Sequence, residues 1–359
     1  MHRISWWRTS FGDGEIEGLR KAIVQEYITA GPLTEQLEQE LARGLGVPYV
    51  VVTTSGSAAL LMSLMALDIG PGDEVIVPNR GWIATAHAVL MVGARAVIVD
   101  SLPDVPLMNV SDVRAKITPK TKAIIPVHLN GRAVDMQGIH QIAREHDLHV
   151  IEDACQAMFS KNAGNFLGTR SDLGCFSLGI SKLISTGQGG VVVTQNRELY
   201  EQLKLIRNHG VKDIFTNAWS RMGFNFKFTD LLASVGLAQL TKVHDRLIHL
   251  NAIYDKYVKA LEELPFLSLI PVDISGGEIP LYIEVLCPQR DRLADYMRQE
   301  GIQVRLFNPS LERSPYIPSN GGFPNSKIFE EQGVFLPCGP AQSFENVASV
   351  IKALQRYKS

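Results

Sequence analysis

Tyr49-Val50-Val51-Val52, a β-branched run, leads through the small-residue turn Thr54-Ser55-Gly56-Ser57 into a leucine stripe at Leu60, Leu61, Leu64 and Leu67. Pro71-Gly72-Asp73 then turns the chain into a second β-branched run, Glu74-Val75-Ile76-Val77. The runs have strand composition, and the leucines fall at i, i+1, i+4 and i+7, so one helical face lies against a sheet. Ser57 is placed to cap that helix. Strand, helix and strand in this order are the unit of a mostly parallel α/β sheet.

The alternation continues from about residue 34 to 245. Further strands are expected at Ala96 to Val99, Ala123 to Val127, His149 to Ile151, Gly174 to Ser177 and Gly190 to Val193, seven in all, with a helix from Ile139 to His146. After Lys242 the rhythm changes. A long helix over Val243 to Leu261 is followed by strands expected at Ile279 to Val285 and Ile302 to Leu306, a Pro/Gly-rich loop from Ser314 to Pro324, and a C-terminal stripe at Val347, Val350, Ile351 and Leu354. The expected organisation is therefore a large domain over residues 1–245, including the N-terminal segment, and a small α+β domain over 246–359.

With 359 residues, 45% hydrophobic and 20% charged, the chain has the composition of a globular protein of about two domains. Lys and Arg number 35 against 37 Asp and Glu, which removes the basic footprint of a nucleic-acid binder. The most apolar stretch, Ala58 to Leu67, is far shorter than the roughly 20 residues of a membrane span. The start, Met1 to Arg8, lacks a signal-like apolar region, so the expected location is cytoplasmic. Four scattered cysteines, Cys155, Cys175, Cys287 and Cys338, suggest neither a metal site nor disulfides.

Three features carry chemistry. Thr54-Ser55-Gly56-Ser57 at a helix start offers N–H groups and a hydroxyl to an anion, although an ordinary helix cap looks the same. Glu152-Asp153 closes an apolar strand, on the edge where α/β sheets bind ligands; alone it is equally a helix cap. Lys182 follows a strand among small and apolar residues, between Ser177 and Gly187-Gln188-Gly189-Gly190. Most lysines are solvated surface charges, but one held this way is a candidate nucleophile. Anion cup, carboxylate, hydroxyl and lysine, in this order, meet the requirements of pyridoxal 5'-phosphate: a lysine for the Schiff base, an acid for the ring nitrogen and donors for the phosphate.

The same residues carry a resemblance. Pro71 to Pro78, Ile151-Glu152-Asp153-Ala154-Cys155-Gln156-Ala157, Phe176-Ser177 with Lys182, Gly187 to Gly190, Arg207-Asn208-His209-Gly210 and Gly223-Phe224-Asn225-Phe226-Lys227 resemble the DegT/DnrJ/EryC1/StrS family of sugar aminotransferases. The resemblance implies the type I aminotransferase fold and a cofactor alternating between pyridoxal and pyridoxamine phosphate (PLP/PMP). It makes Lys182 the Schiff-base lysine and proton carrier, and Asp153 the partner of the ring nitrogen. By the same resemblance, Gln156 is expected near the ring oxygen and Trp82 stacked on the ring. Gly56, Ser57 and Ser177 are expected to hold the phosphate, with Asn225 reaching it from the neighbouring subunit of a homodimer.

Departures from the family pattern fall mainly on the substrate side, with a milder one in the phosphate loop. Lys227 stands for the usual arginine and Ser55 for an asparagine. Pro309 and Glu312 occupy the places of a Tyr and a His between Arg305 and Pro315-Tyr316. Lys227, Arg305 and Arg313 are the substrate-contact candidates. The implied reaction moves an amino group from an amino acid, expected to be L-glutamate, to a keto sugar expected to be nucleotide-linked. The alternatives are a sugar dehydratase of the same fold, whose family branch has a histidine where Lys182 stands, and a catalytically idle binding protein.

Overall fold

The computed structural model describes residues 3–212, 215, 218–319 and 321–358. Its strands, in chain order, are β1 (Tyr49–Thr53), β2 (Glu74–Pro78), β3 (Arg95–Val99), β4 (Thr121–Ile124), β5 (His149–Asp153), β6 (Lys161–Asn162), β7 (Asn165–Phe166), β8 (Leu173–Ser177), β9 (Gly190–Thr194), β10 (Ser268–Leu269), β11 (Ile283–Leu286), β12 (Arg305–Leu306) and β13 (Gly333–Leu336). Seven of them form the expected sheet, in the order β1-β9-β8-β5-β4-β2-β3. Only β9 runs against its neighbours; β3, β2, β4, β5 and β8 pair in parallel.

Alternating side chains serve two cores. Val51 and Val192 face the helix Gly56–Ala66 with Leu60, Met62 and Leu64, while Val50, Val52, Val191 and Val193 face Leu37, Leu41 and Leu45 of the helix Pro32–Leu45. A sheet covered on both sides explains why its strands read as continuous apolar runs. The start of the first crossover helix differs from expectation. Ser55, not Ser57, is the cap: its side chain accepts from the Ala58 N–H at 3.0 Å, so Ser57 enters the first turn with an exposed hydroxyl.

A second, antiparallel sheet runs β10-β11-β13-β12. It shares a core with the helices Val243–Leu261 and Phe344–Arg356 and with Ile4 and Trp7 from the other end of the chain. Ile4 bridges to Ile302 and Trp7 to Cys338. Here the strands are shorter than the apolar runs suggested. Pro280 has no N–H to donate, and the Asn130 amide takes both the N–H (2.5 Å) and the carbonyl (3.0 Å) of Tyr282, so regular pairing begins only at Ile283. Ile302 pairs outside the sheet, leaving Arg305–Leu306 as β12.

The two sheets are joined by a buried charged cluster. Arg132 pairs with Glu284 at 2.5 Å, both at most 2% exposed, and donates to the carbonyls of Pro271 (2.7 Å) and Ile270 (3.0 Å). Asn130 Nδ2 donates to the same Glu284 carboxylate at 2.9 Å. Removing one partner would strand a buried charge. Arg132→Met is expected to destabilise the protein by about 3–5 kcal/mol, with Glu284→Gln in the same chain recovering part of the loss. Urea unfolding curves of the three proteins check this.

Candidate active site

Because β1, β2, β4, β5 and β8 all point the same way, the loops that follow them share one edge of the sheet, and β9 starts at that edge because it is reversed. A cavity of about 400 Å³ opens there. Its wall receives Gly56 and Ser57 after β1, Trp82 after β2, Asp153 and Gln156 at the end of β5, and Ser177 and Lys182 from β8 and the loop beyond it. Eight residues singled out in the sequence, these seven and Arg305, thus line one space.

At the anion end, the N–H groups of Gly56 and Ser57 lie in the first helical turn and have no intrahelical acceptor. The helix dipole adds positive potential there. The loop is pressed close to its neighbours. A Cβ at Gly56 would come within 2.9 Å of Cys155 Sγ and 3.1 Å of Ser177 Cβ, and one at Gly190 within 2.1 Å of the Ser55 carbonyl. Ser177 Oγ accepts from the Gly179 N–H at 3.2 Å, which leaves its own proton for a ligand.

Asp153 is only 5% exposed, yet it forms no ion pair with any described residue. One oxygen accepts from Thr85 Oγ1 at 2.7 Å and the other from the Cys155 N–H at 3.1 Å. A buried carboxylate held by neutral donors beside a cavity is a receptor for a cationic N–H. Cys155, next to it, stays a neutral thiol because burial, reinforced by Asp153, pushes its pKa well above the ordinary range.

Lys182 is half-buried and likewise has no carboxylate partner among the described residues. Its Nζ reaches the Tyr282 hydroxyl at 3.5 Å, while that hydroxyl donates to the Ser181 carbonyl at 3.0 Å. Gln156 Oε1 accepts from the Asn130 N–H at 3.0 Å, so its amide nitrogen is the end left for the cavity. Trp82 is 52% exposed, an aromatic left partly open on the cavity wall. Helix N–H groups and two hydroxyls for a phosphate, an unpaired carboxylate for a protonated ring nitrogen, an amide donor for a ring oxygen and an unpaired amine for the aldehyde fit pyridoxal phosphate in every chemical requirement.

The substrate candidates divide. Arg305 lines the cavity, with its guanidinium 5.1 Å from the Trp6 ring and 5.9 Å from the Trp82 ring, and donates to Asn308 Oδ1 at 2.9 Å. Arg313 is exposed and pairs with Glu330 at 3.5 Å, away from the cavity wall. Lys227 Nζ donates to Asn208 Oδ1 at 3.4 Å. Asn225 is exposed and bridges Asn208 through its backbone. Neither Lys227 nor Asn225 lines the cavity of its own chain.

Trp6, Thr85, Tyr282, Asn308 and Phe335 also line the cavity and were not identified from the sequence. Thr85 lies on the short helix Ala84–Met91, and the others arrive from the second sheet and its flanking segments. No local motif marks them; only the folded arrangement does.

Comparison with known proteins agrees with this chemistry. The profile of the DegT/DnrJ/EryC1/StrS aminotransferase family matches residues 10–355. A GDP-perosamine synthase of Escherichia coli O157:H7 is 31% identical over 368 residues, covering 100% of both chains. A GDP-perosamine synthase of Caulobacter vibrioides is 33% identical over 338 residues, covering 91% of each. The crystal structure of S. venezuelae DesV in complex with a ketimine intermediate superposes with a TM-score of 0.91 at 30% identity, covering 96% of this chain and 95% of that one. The chain belongs to the DegT/DnrJ/EryC1/StrS aminotransferase family and is one of its pyridoxal phosphate-dependent sugar aminotransferases.

Proposed function

We propose that this enzyme takes the amino group of an amino acid, L-glutamate, and delivers it to a nucleotide-linked keto-deoxysugar in the cytoplasm. The observation that carries the reading is a single cavity containing a buried carboxylate, Asp153, and an amine, Lys182, neither with an ion-pair partner among the described residues. Two opposite charges in one site, each left without a protein counter-charge, need a ligand to complete both. The GDP-perosamine synthases among the relatives support a GDP-linked acceptor.

When bound, pyridoxal phosphate supplies a conjugated ring that accepts the electron pair released by deprotonation of the donor's α-carbon. Asp153 would keep the proton on the ring nitrogen, and its buried setting would make that pairing strong. Gly56, Ser57 and Ser177 would fix the phosphate, Gln156 Nε2 would donate to the ring oxygen, and Trp82 would cover the ring. Lys182 Nζ would take a proton from the donor's α-carbon and pass it to the cofactor carbon that receives the amino group, and in the second half would move a proton from that carbon to the sugar carbon. Tyr282 sits within reach of that amine. Arg305, with no acid partner among the described residues, would receive a phosphate of the nucleotide-linked sugar.

Asn225 and Lys227 would serve a second copy of the chain. They lie in a segment that exposes large apolar side chains, with Trp219, Met222 and Phe224 81%, 77% and 67% exposed, as expected for a surface that a neighbouring subunit covers. Residues 1–245 would form the cofactor domain and 246–359 the small domain that brings Tyr282, Arg305 and Asn308 to it.

The purified enzyme is expected to absorb in the visible, with borohydride fixing the cofactor to Lys182. Lys182→Ala should lose the fixed adduct; persistence of that adduct would refute the assignment. A panel of GDP-, UDP- and dTDP-linked keto sugars with glutamate, read by product mass, is expected to yield an aminated GDP sugar. No amination of any member would sink the sugar-acceptor reading. Asn225→Ala should weaken cofactor binding about tenfold. At a cofactor concentration too low to load Asn225→Ala, mixing unfolded Lys182→Ala and Asn225→Ala chains and refolding them is expected to restore about one quarter of the wild-type activity measured under the same conditions, since each mixed dimer regains one intact site. Sites built within one chain would regain nothing.

A further inference from the structure

Beside the site lies an arginine that the chemistry above does not use. Arg80 is 3% exposed and forms no ion pair with a described residue. Burial pulls its pKa down to about 10, with Glu330 and Glu284 opposing that effect from a distance and Arg290 adding to it. Its guanidinium lies 5.7 Å from the Phe307 ring, and its Nε is buried without an acceptor among the described residues. Burying a cation this way is costly, and an apolar side chain of similar length would fill the volume at lower cost. The remaining bonds show what the charge holds in place. Arg80 Nη1 donates to the Asn308 carbonyl at 2.9 Å and to Ser310 Oγ at 3.1 Å.

Asn79 grips the same loop. Its carbonyl accepts from the Leu311 N–H and its side-chain oxygen from the Glu312 N–H, both at 3.1 Å. The two residues thus bind the chain at 308, 310, 311 and 312. Two residues after Arg80 the chain places Trp82 on the cavity wall; on the opposite side of that grip Asn308 lines the cavity and holds Arg305. One strand end therefore sets both the aromatic wall and the polar wall facing the substrate. Pro309 and Glu312, which depart from the family pattern, lie within the gripped stretch.

We propose that Arg80 is a positioning residue that holds the 305–312 wall in its substrate-binding shape and thereby governs acceptance of the keto sugar, without touching cofactor or substrate. The proposal rests on the sugar-acceptor reading above for its ligand and on the hydrogen bonds alone for its mechanism. The donor half of the reaction depends on Lys182, Asp153 and the anion end, none of which Arg80 contacts, so the two halves should separate.

The test uses holoenzymes of the wild type, Arg80→Met and Arg80→Lys. Glutamate-driven conversion of the bound cofactor, followed by absorbance, is expected to stay within about threefold of wild type in both variants. For the panel sugar that the wild type aminates, Arg80→Met should raise KM about tenfold or more with kcat within about threefold. Arg80→Lys, which keeps the charge and one donor, should fall between. Hydrogen exchange should show Arg80→Met losing protection over 305–313 and keeping it over 49–57 and 149–156. Equal losses in both half-reactions, an unchanged sugar KM, or unchanged protection over 305–313 would each overturn the proposal. Failure of the wild type on every sugar defeats the acceptor reading instead, and exchange over 305–313 then decides whether Arg80 clamps the wall.

Discussion

Parallel strands can be joined only by a segment that crosses back over the sheet, and that constraint brings every loop following a strand to one edge. Thr53, Pro78, Asp153 and Ser177 end four such strands, and the residues just beyond them meet although they are far apart in sequence. Each chemical group therefore sits on, or a few residues beyond, the end of a strand in a sheet covered on both faces. The cavity is a consequence of strand direction before it is a consequence of any particular side chain.

Against this rigid edge the second sheet supplies a wall of a different character. Tyr282 packs with Trp6, Trp7 and Phe335 at ring distances of 5.4–5.9 Å. Its backbone is held by Asn130, whose own N–H is held by Gln156. A continuous chain of hydrogen bonds thus runs from the end of β5, through a loop residue with φ of +55°, to β11 and the buried Arg132–Glu284 pair. Such a connected, largely buried network favours one arrangement of its parts, because any slip leaves several polar groups unpaired at once.

Much of this was legible in the sequence, for identifiable reasons. All seven strands of the large sheet were visible because burial on both faces makes their composition uniform. Asp153 and Lys182 stood out because they interrupt or follow such runs. Ser57 was misplaced as a cap because hydroxyls stand at both 55 and 57, and only backbone geometry decides which faces the Ala58 N–H. The starts of β11 and β12 were placed too early because apolar character begins before pairing does. Tyr282, Thr85 and Asn308 carried no local signal, since their meeting with Lys182, Asp153 and Arg305 exists only after distant elements pack. Arg80 looked like an ordinary loop arginine, and nothing short of its neighbours shows that it is buried.

The reversed strand has a consequence of its own. Ser177 and Gly190 pair directly, so the twelve residues between them are tethered at both ends to adjacent strands. Leu178 bonds Gly189 and Thr186 across that span, and Ser185 is fixed to Gln239 of a separate helix. The backbone beneath Lys182 is consequently a fixed pivot, and only the four-carbon arm above it is free to swing. An insertion anywhere between 178 and 189 would have to break the tether to be accommodated, so this loop should be far less tolerant of length change than an untethered surface loop.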